Sequence, residues 1–299
     1  MLDLTLAVLC SVSIGMIFKH TGGTVDRTAL LTVNYAAAVG VATLLFGAGG
    51  RSLEGSLTLS PALFGLAGGV GVLLIAGFFL LSYATDVAGM SLAIGVMRVS
   101  VVIPFLASWL VWDEVPSVAQ GVGMGLAAVA FFLIAQKHRG PASKGADGAA
   151  VPLEQVDWHA FLVLALTFCA GGGVDLSMKA FEEGFGGGSS RVLFLLLAFG
   201  AAFLVGLAVV VGRGVWQGQW PGPAAVGWGA LLGVVNYGSL EFLLRAIAEL
   251  PGPFVFPANN IAIMILAAGL GVAIWGERLS RANYVGLSLA VVALILLRL

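Results

Sequence analysis

Charged side chains are scarce in this sequence. Lys, Arg, Asp and Glu make up 10% of its 299 residues, against about 25% in an ordinary soluble domain, and the mean hydropathy is +1.05. A water-soluble fold cannot bury this much apolar surface, so the composition predicts that lipid is the solvent. The net charge of −1 also argues against the basic surface that a nucleic-acid partner needs.

Cysteine and the usual signatures of catalysis are also scarce or missing. The two cysteines, Cys10 and Cys169, lie inside apolar runs, so no disulfide framework is predicted. The three histidines have no spacing that suits a metal site. The sequence contains no HExxH motif, no phosphate-binding loop and no nucleophile elbow. We therefore expect neither an enzyme nor a resident metal or other cofactor.

Apolar runs separated by glycine, proline and charge fill most of the chain. Because a helix of about 20 residues crosses the hydrocarbon core, these runs predict an all-α membrane protein with about ten transmembrane helices. The longest polar segment, residues 137–156, is predicted to link two halves, 1–136 and 157–299. The predicted helices span residues 3–19, 28–46, 61–84, 88–112, 117–136, 157–180, 191–212, 224–247, 252–275 and 281–298. Three of them are predicted to begin at a serine cap, at Ser60, Ser117 and Ser280.

One stretch of the chain, residues 89–133, occurs a second time as residues 252–296. The ungapped alignment pairs identical residues: Trp112 with Trp275, Glu114 with Glu277, Ser117 with Ser280, and Gly123 with Gly286. We interpret the chain as two copies of one five-helix fold. Because five is odd, the second copy enters the membrane from the opposite side. The prediction is a 5+5 inverted repeat around a central cavity, with substrate bound near the midplane.

Arg98 contradicts its apolar surroundings, since it lies about halfway along the predicted helix 88–112. An arginine at the centre of a bilayer costs at least about 3 kcal/mol, so it must face water, a carboxylate or a ligand. Two interpretations stay open. Arg98 binds a substrate carboxylate or phosphate, or it forms a structural ion pair with Asp175 or Glu241.

Those two carboxylates are themselves candidates for proton coupling. Asp175 follows three glycines in the sixth predicted helix, where a broken or closely packed helix is expected. Glu241 lies in the eighth predicted helix. The alternative is that each is neutralised one turn away on its own helix, Asp175 by Lys179 and Glu241 by Arg245.

Uncharged polar residues complete the predicted substrate site. Asn259 and Asn260 align beside the counterpart of Arg98, and the prolines before them are expected to loosen the ninth helix. Hydrogen bonding between helices is their alternative role. For Tyr83 the alternative is anchoring at the membrane interface. The remaining predicted substrate contacts are Asn34, Tyr35, Tyr83, Asn236 and Tyr237.

The paired Trp and Glu residues at the repeated helix ends receive structural interpretations. Trp112 and Trp275 are predicted to anchor helix ends at the membrane interface. Glu114 and Glu277 are predicted to cap the helices that follow them or to fix the hairpin tip, because acidic groups suit a helix N-terminus.

These features resemble the EamA-type branch of the drug/metabolite transporter superfamily. The resemblance covers nearly the whole chain. It implies a ten-helix carrier of small metabolites in the bacterial inner membrane, with both termini in the cytoplasm. The distribution of Lys and Arg favours the opposite orientation. Members carry amino acids, sugars, nucleotide derivatives and drugs. The most specific segments are Pro104…Trp112-Asp-Glu114…Gly121-x-Gly123 and Trp275-Gly-Glu277-Arg-Leu-Ser280…Gly286.

We therefore predict a multi-pass secondary transporter of the bacterial inner membrane. It would export or exchange a small polar metabolite, anionic or zwitterionic because of Arg98, by alternating access, with or without proton coupling. One alternative is an exporter of small cationic drugs attracted to Asp175 and Glu241. Another is a non-transporting membrane protein, either an enzyme on a lipid-linked substrate or a partner subunit. The expected partners are a small-molecule substrate and the bilayer, for a monomer or a homodimer.

Overall fold

The computed structural model describes residues 1–48, 60–88, 90–135, 158–186, 191–276 and 279–299. The predicted linker, 137–156, and Glu277 lie outside these residues. The described part is all-helical. Its helices are α1 (Leu2–Thr21), α2 (Arg27–Ala48), α3 (Pro61–Ala88), α4 (Met90–Val99), α5 (Val102–Trp112), α6 (Val118–Ala135), α7 (Trp158–Phe185), α8 (Arg191–Gln217), α9 (Pro223–Glu249), α10 (Gly252–Trp275) and α11 (Arg281–Arg298).

The helices have the lengths and composition of a multi-pass membrane protein. Among the described residues, nine spans are long and apolar enough to cross a membrane, and Val118–Ile134 is a shorter apolar helix. The predicted fold class, an all-α membrane protein with about ten transmembrane helices, is confirmed at this level.

The predicted helix 88–112 is interrupted. It forms α4 and α5, and the break lies at Ser100 and Val101. Pro104 explains the position, because it has no N–H to donate to the carbonyl of Ser100, four residues earlier. That carbonyl accepts the N–H of Ile103 at 2.9 Å instead, and the Ser100 hydroxyl donates to the carbonyl of Met97 at 2.6 Å. The break therefore follows Arg98 by two residues.

The chain divides into two compact units, and the boundary falls within α3 and within α7. The first unit contains Met1–Ile75 and Ser177–Glu249, and the second contains Ala76–Leu176 and Leu250–Leu299. Both units combine segments from before and after the predicted linker. The assignment of the repeated halves to 1–136 and 157–299 stays a prediction.

In the first unit, glycines bring helices into backbone contact. A Cβ added at Gly71 of α3 would collide with the Ala198 carbonyl of α8, and one added at Gly233 of α9 would collide with the Asn34 carbonyl of α2. Small residues permit such close approach between membrane helices. The two contacts are alike. The next closest atoms to a Cβ on Gly71 belong to Ala201 and Ala202, and those to a Cβ on Gly233 belong to Ala37 and Ala38.

In the second unit, α6 and α11 begin with the same cap. The N–H of Gln120 donates to the Ser117 hydroxyl at 3.1 Å, and the Ser117 N–H donates to Gln120 Oε1 at 3.0 Å. In α11 the N–H of Asn283 donates to the Ser280 hydroxyl at 3.1 Å, and the Ser280 N–H donates to Asn283 Oδ1 at 2.8 Å. Both are capping boxes, so the predicted caps at Ser117 and Ser280 are confirmed.

The same two helices also pack reciprocally. Gly123 of α6 lies against α11, and Gly286 of α11 lies against α6. The residues that face them are equivalent in the ungapped alignment: Ala293, Leu296 and Leu297 for Gly123, and Ala130, Leu133 and Ile134 for Gly286.

Glu114 has a capping role at a helix other than the one that follows it. Its Oε2 accepts the N–H of Gly252 at 2.8 Å, the first residue of α10. The N–H groups at a helix start lack partners within the helix, and a carboxylate there also complements the helix dipole. Glu114 thus ties the tip of the hairpin between α5 and α6 to the start of the helix that carries Asn259 and Asn260.

Candidate functional site

Arg98 forms a side-chain hydrogen bond that joins α4 to α10. Its Nη1 donates to Asn260 Oδ1 at 3.1 Å. The amide of Asn260 also donates through Nδ2 to the Phe256 carbonyl at 3.1 Å, and this second bond keeps the amide oxygen directed at the guanidinium. Arg98 lies in the last turn of α4, where the negative end of the helix dipole favours a cation.

Asp175 supplies the opposite charge. Arg98 and Asp175 attract each other electrostatically. Of the two carboxylates predicted as structural partners of Arg98, Asp175 is therefore the one whose charge acts on the guanidinium, although no direct ion pair or hydrogen bond joins these two side chains. Both side chains are only partly buried, so each retains some access from outside the packed core.

Glycines in α7 bring the helix that carries Asp175 against the helix break that follows Arg98. A Cβ on Gly171 would lie 2.8 Å from the Ser100 hydroxyl, and a Cβ on Gly172 would lie 2.8 Å from the Ser100 carbonyl. Asp175 follows about one turn later on α7. The predicted close packing is confirmed, but α7 is not broken there, since it runs without interruption from Trp158 to Phe185.

Asn259 is buried, with 7% of its surface exposed, and its Oδ1 has no hydrogen-bond donor in the described part of the chain. A buried acceptor without a donor costs about 1–3 kcal/mol. Asn259 and Asn260 point about 100° apart on α10. The two amides therefore have different surroundings, and only Asn260 bonds to Arg98.

Tyr83 lies apart from this cluster. Its ring meets His159 edge-on, with the centroids 5.8 Å apart, and its hydroxyl is 3.4 Å from His159 Nε2. His159 is at the start of α7, and the stretch of α7 from there to Asp175 is about 24 Å long. Tyr83 is also 47% exposed. Its position favours the alternative role as an interface anchor.

In the first unit, four of the predicted substrate contacts form a polar seam between α2 and α9. Asn236 Nδ2 donates to Asn34 Oδ1 at 3.2 Å. The rings of Tyr35 and Tyr237 each lie 6.2 Å from that of Phe199. Tyr35 is fully buried, and in the described residues neither its hydroxyl nor Asn34 Nδ2 has a partner.

Glu241 extends this seam with charge. Arg245 donates to its Oε1 from Nε at 2.9 Å and from Nη2 at 2.8 Å, and the Tyr237 hydroxyl is 3.5 Å from Oε2. The predicted pairing of Glu241 with Arg245, one turn apart, is confirmed. Arg191 also attracts Glu241, while its own guanidinium binds Glu182 through two nitrogens.

Lys179, the residue considered as a partner for Asp175, is nearly fully buried in the first unit and donates to Glu183 at 2.6 Å.

No three His, Cys, Asp or Glu side chains of the described ranges meet in a way that could hold a metal ion.

Comparison with known proteins identifies a related fold but gives no function. No protein-family model matches the chain. An uncharacterized protein of Haemophilus influenzae is 25% identical over 293 residues, which cover 95% of this chain and 93% of that protein. A solved crystal structure superposes with a TM-score of 0.76 at 14% identity, covering 100% of this chain and 97% of that one. The whole chain therefore has a fold that is already known from crystallography.

Sequence reasoning did not find two contacts that shape these clusters. The bidentate pair of Glu182 and Arg191 bridges the end of α7 and the start of α8, at a separation that no helical periodicity indicates. The bond from Glu114 to Gly252 joins residues far apart in the chain. The prolines on either side of Gly252 do indicate the second contact, because they leave few N–H donors at the start of α10 for a carboxylate to bind.

Proposed function

We propose that this protein is a secondary transporter that binds a small anionic or zwitterionic metabolite at Arg98 and carries it across a bacterial inner membrane by alternating access. The observation that carries the proposal is the group formed by Arg98, Asp175 and Asn260. Two helices, α4 and α10, direct an arginine and an amide to one place within apolar spans, and the charge of Asp175 on α7 acts on the same guanidinium.

The energetics of this group favour a hydrated site over a purely structural one. A buried ion pair stabilises a fold weakly, because desolvation of both charges offsets their attraction. Two partly buried charges in membrane-spanning helices are expected where a water-filled pathway reaches them. A guanidinium also has five N–H donors, and Asn260 accepts from one nitrogen only, so Arg98 keeps capacity for a carboxylate.

The helix geometry supports the same proposal. Carriers of small solutes commonly place their sites at interrupted helices near the midplane. Arg98 lies beside the interruption between α4 and α5, and α10 contains Pro257 two residues before Asn259. Both elements that meet at the Arg98–Asn260 bond are therefore locally irregular.

The reciprocal contacts support the proposed inverted repeat. Gly123 and Gly286 exchange equivalent contacts between α6 and α11, and residues related in this way are typical of a two-fold relationship. The helices before them also end alike, since Asp113 and Gly276 both adopt a left-handed conformation, with φ of 55° and 62°. Two copies of one fold, related in this manner, give a carrier two alternative arrangements of similar energy.

A ligand screen tests the proposal and its alternatives together. The purified protein would be heated in detergent with carboxylates, zwitterions, phosphate esters and quaternary amines, and its unfolding temperature recorded. We expect stabilisation by a carboxylate or zwitterion, lost in Arg98→Gln and kept in Arg281→Gln, which removes an exposed arginine of α11. Stabilisation by amines alone would favour the cation exporter, and no response to any class would favour a non-transporting protein.

A further inference from the structure

The packing of α2 against α9 in the first unit has a counterpart in the same unit, the packing of α8 against α3. Ungapped alignments relate these helices by identical residues: Arg27 with Arg191, Ala37 with Ala201 and Ala38 with Ala202 for α2 and α8, and Pro61 with Pro223, Gly65 with Gly227 and Gly71 with Gly233 for α3 and α9. The contacts agree with the alignments, because the atoms of α2 that face Gly233 are equivalent to the atoms of α8 that face Gly71. The two packings therefore repeat one arrangement.

Polar side chains occur in one of these two packings and are replaced in the other. The alignments pair Asn34 with Ala198, Tyr35 with Phe199, Asn236 with Leu74 and Tyr237 with Ile75. Because α8 and α3 make the same close contact with apolar residues at these positions, the contact does not require polar ones. The polar residues between α2 and α9 therefore need an explanation other than helix packing.

These polar residues and Phe199 form a closed circuit of contacts among α2, α8 and α9. Asn236 Nδ2 donates to Asn34 Oδ1 at 3.2 Å. Tyr35, the next residue after Asn34, lies against Phe199, and Phe199 lies against Tyr237, the next residue after Asn236. Asn236 is only partly buried, so the circuit has one edge that is accessible from outside the packed helices.

Two hydrogen-bonding groups of the circuit have no partner among the described residues, the Asn34 Nδ2 and the Tyr35 hydroxyl. Asn34 is 1% exposed and Tyr35 is 0% exposed. Burial of unpaired polar groups destabilises a fold, and the apolar counterparts of these residues in α8 avoid that cost. Both groups can donate a hydrogen bond, so they suit a ligand atom that accepts one.

The charges beside the circuit favour an uncharged ligand. Glu241 lies one turn beyond Tyr237 on α9, and its Oε2 is 3.5 Å from the Tyr237 hydroxyl. Arg245 already binds Glu241 through two nitrogens, so an anion in the circuit would meet a carboxylate whose balancing arginine is engaged. A cation is disfavoured as well, because the amide nitrogen of Asn34 only donates.

We propose that this circuit binds an uncharged polar solute, whose carbonyl or hydroxyl oxygens accept hydrogen bonds from Asn34 Nδ2 and the Tyr35 hydroxyl. The three aromatic rings contact the apolar part of the solute. Asn236 is a positioning residue, because its bond to Asn34 Oδ1 leaves Nδ2 as the free end of the amide. The site belongs to the first unit, whereas Arg98 belongs to the second, and it does not rest on the proposed transport function.

Thermal unfolding in detergent tests the site with defined probes. N-methylacetamide offers a carbonyl, glucose offers hydroxyls, and uridine offers both on a flat ring, so the probe that acts shows which oxygen is recognised. Acetate and tetramethylammonium are the charged comparisons. We expect at least one uncharged probe, at millimolar concentration, to raise the unfolding temperature of wild type by about 2 °C or more.

The aligned helices supply the test variant, Asn34→Ala/Tyr35→Phe/Asn236→Leu, which introduces the residues of α8 and α3. It should lose the response to the uncharged probe, while any effect of the two ions should equal that in wild type. Ser11→Ala is the matched control, since it removes a different hydrogen bond to α9, the 2.7 Å contact of Ser11 with Ser239. Ser11→Ala and Arg98→Gln should both keep the response.

Tyr35→Phe removes a single oxygen and keeps the test open if the triple variant cannot be purified. It should be no less stable than wild type, and the Kd of the active probe should rise about threefold to tenfold. Lower stability of Tyr35→Phe would make the hydroxyl structural and overturn the inference. So would an unchanged Kd, an equal response in the triple variant, or loss of the response in Arg98→Gln. If no uncharged probe stabilises wild type, ordered water is the partner of the two groups and the site is refuted.

Discussion

Gln120 and Asn283 each donate a side-chain hydrogen bond to the last turn of the other's helix. Gln120 Nε2 of α6 donates to the Leu297 carbonyl at 3.3 Å, and Asn283 Nδ2 of α11 donates to the Ile134 carbonyl at 2.8 Å. The last carbonyls of a helix have no partner within it, and unsatisfied groups are costly in lipid. Each amide therefore caps the start of its own helix and the end of the other helix.

This exchange makes Asn283 a strong determinant of stability. Asn283→Leu removes the capping box of α11 and two bonds to α6, and Asn283 is 5% exposed. We expect the free energy of unfolding in detergent to fall by about 1–3 kcal/mol, and by less in Gln120→Leu, whose side chain is more exposed. Ser288→Ala is the control, since its exposed hydroxyl bonds only within α11. An unchanged stability in Asn283→Leu would contradict the reciprocal capping.

The contact between α7 and the helix break predicts a steric effect. Gly172→Ala would place a methyl group 2.5 Å from Ile103 Cδ1, which should destabilise the protein by about 1–3 kcal/mol and weaken ligand binding at Arg98. Gly184→Ala, in the same helix and with open space around it, should be neutral or stabilising. Thermal unfolding of the two variants measures the difference. Equal unfolding temperatures would show that α7 does not pack closely against the break.

A rescue refines this prediction at the neighbouring position. A methyl group on Gly171 would meet the Ser100 hydroxyl at 2.8 Å, so Ser100→Ala creates room for it. We expect the double variant Gly171→Ala/Ser100→Ala to be more stable than the sum of the two single changes indicates, a coupling that a double-mutant cycle measures. Strict additivity would argue against direct contact.

The buried hydroxyl of Tyr35 predicts that its removal does not lower stability but can lower transport. It is fully buried, and no described residue bonds to it, so Tyr35→Phe removes a desolvated polar group without breaking a bond. We expect the free energy of unfolding to be unchanged or higher. Transport should fall if a substrate uses this hydroxyl. Tyr237→Phe is the comparison, since its hydroxyl faces Glu241. A clear loss of stability in Tyr35→Phe would reveal a partner for the hydroxyl.

Asp26, at the start of α2, predicts a pH effect outside the membrane spans. Partial burial raises the pKa of its carboxyl, but the Ala29 N–H and Arg213 outweigh this and hold the pKa below its ordinary value. A lowered folded-state pKa stabilises the fold above the unfolded pKa, and this contribution disappears as the pH falls through the folded pKa. The stability difference between wild type and Asp26→Asn should therefore be constant near neutral pH, begin to fall below the ordinary Asp pKa of about 3.9, and vanish below the folded-state pKa. A difference that grows on acidification would contradict the assignment.

Local chemistry made much of the fold predictable. Several local contacts can be read directly from the sequence, because their residues are three or four positions apart. They are the helix caps at Ser117 and Ser280 and the pair of Glu241 with Arg245. The apolar length of each run placed the membrane spans. The break after Arg98 was not predicted. Pro104 carries the signal for it, because a proline leaves the carbonyl four residues earlier without an N–H donor.

Long-range partners were less accessible. Arg98 had two candidate carboxylates, Asp175 and Glu241, and nothing in helical periodicity chooses between residues on different helices. The packing of Gly171 and Gly172 against Ser100 brings the helix that carries Asp175 to the break beside Arg98, and this packing depends on how α7 crosses the break. Tyr83 is predicted as a substrate contact, but its neighbour His159 lies at the far end of α7 from Asp175.

Uptake into proteoliposomes, compared between wild type and Arg98→Gln, tests the central claim most directly. The solute would be the carboxylate or zwitterion that most stabilises the purified protein, and Arg281→Gln would serve as the matched control. Loss of charge-assisted bonds to a guanidinium is worth about 1.5–3 kcal/mol, so we predict that uptake by Arg98→Gln falls at least about tenfold while both control and wild type remain active. Equal uptake in wild type and Arg98→Gln, with both proteins folded, would contradict the placement of the substrate at Arg98.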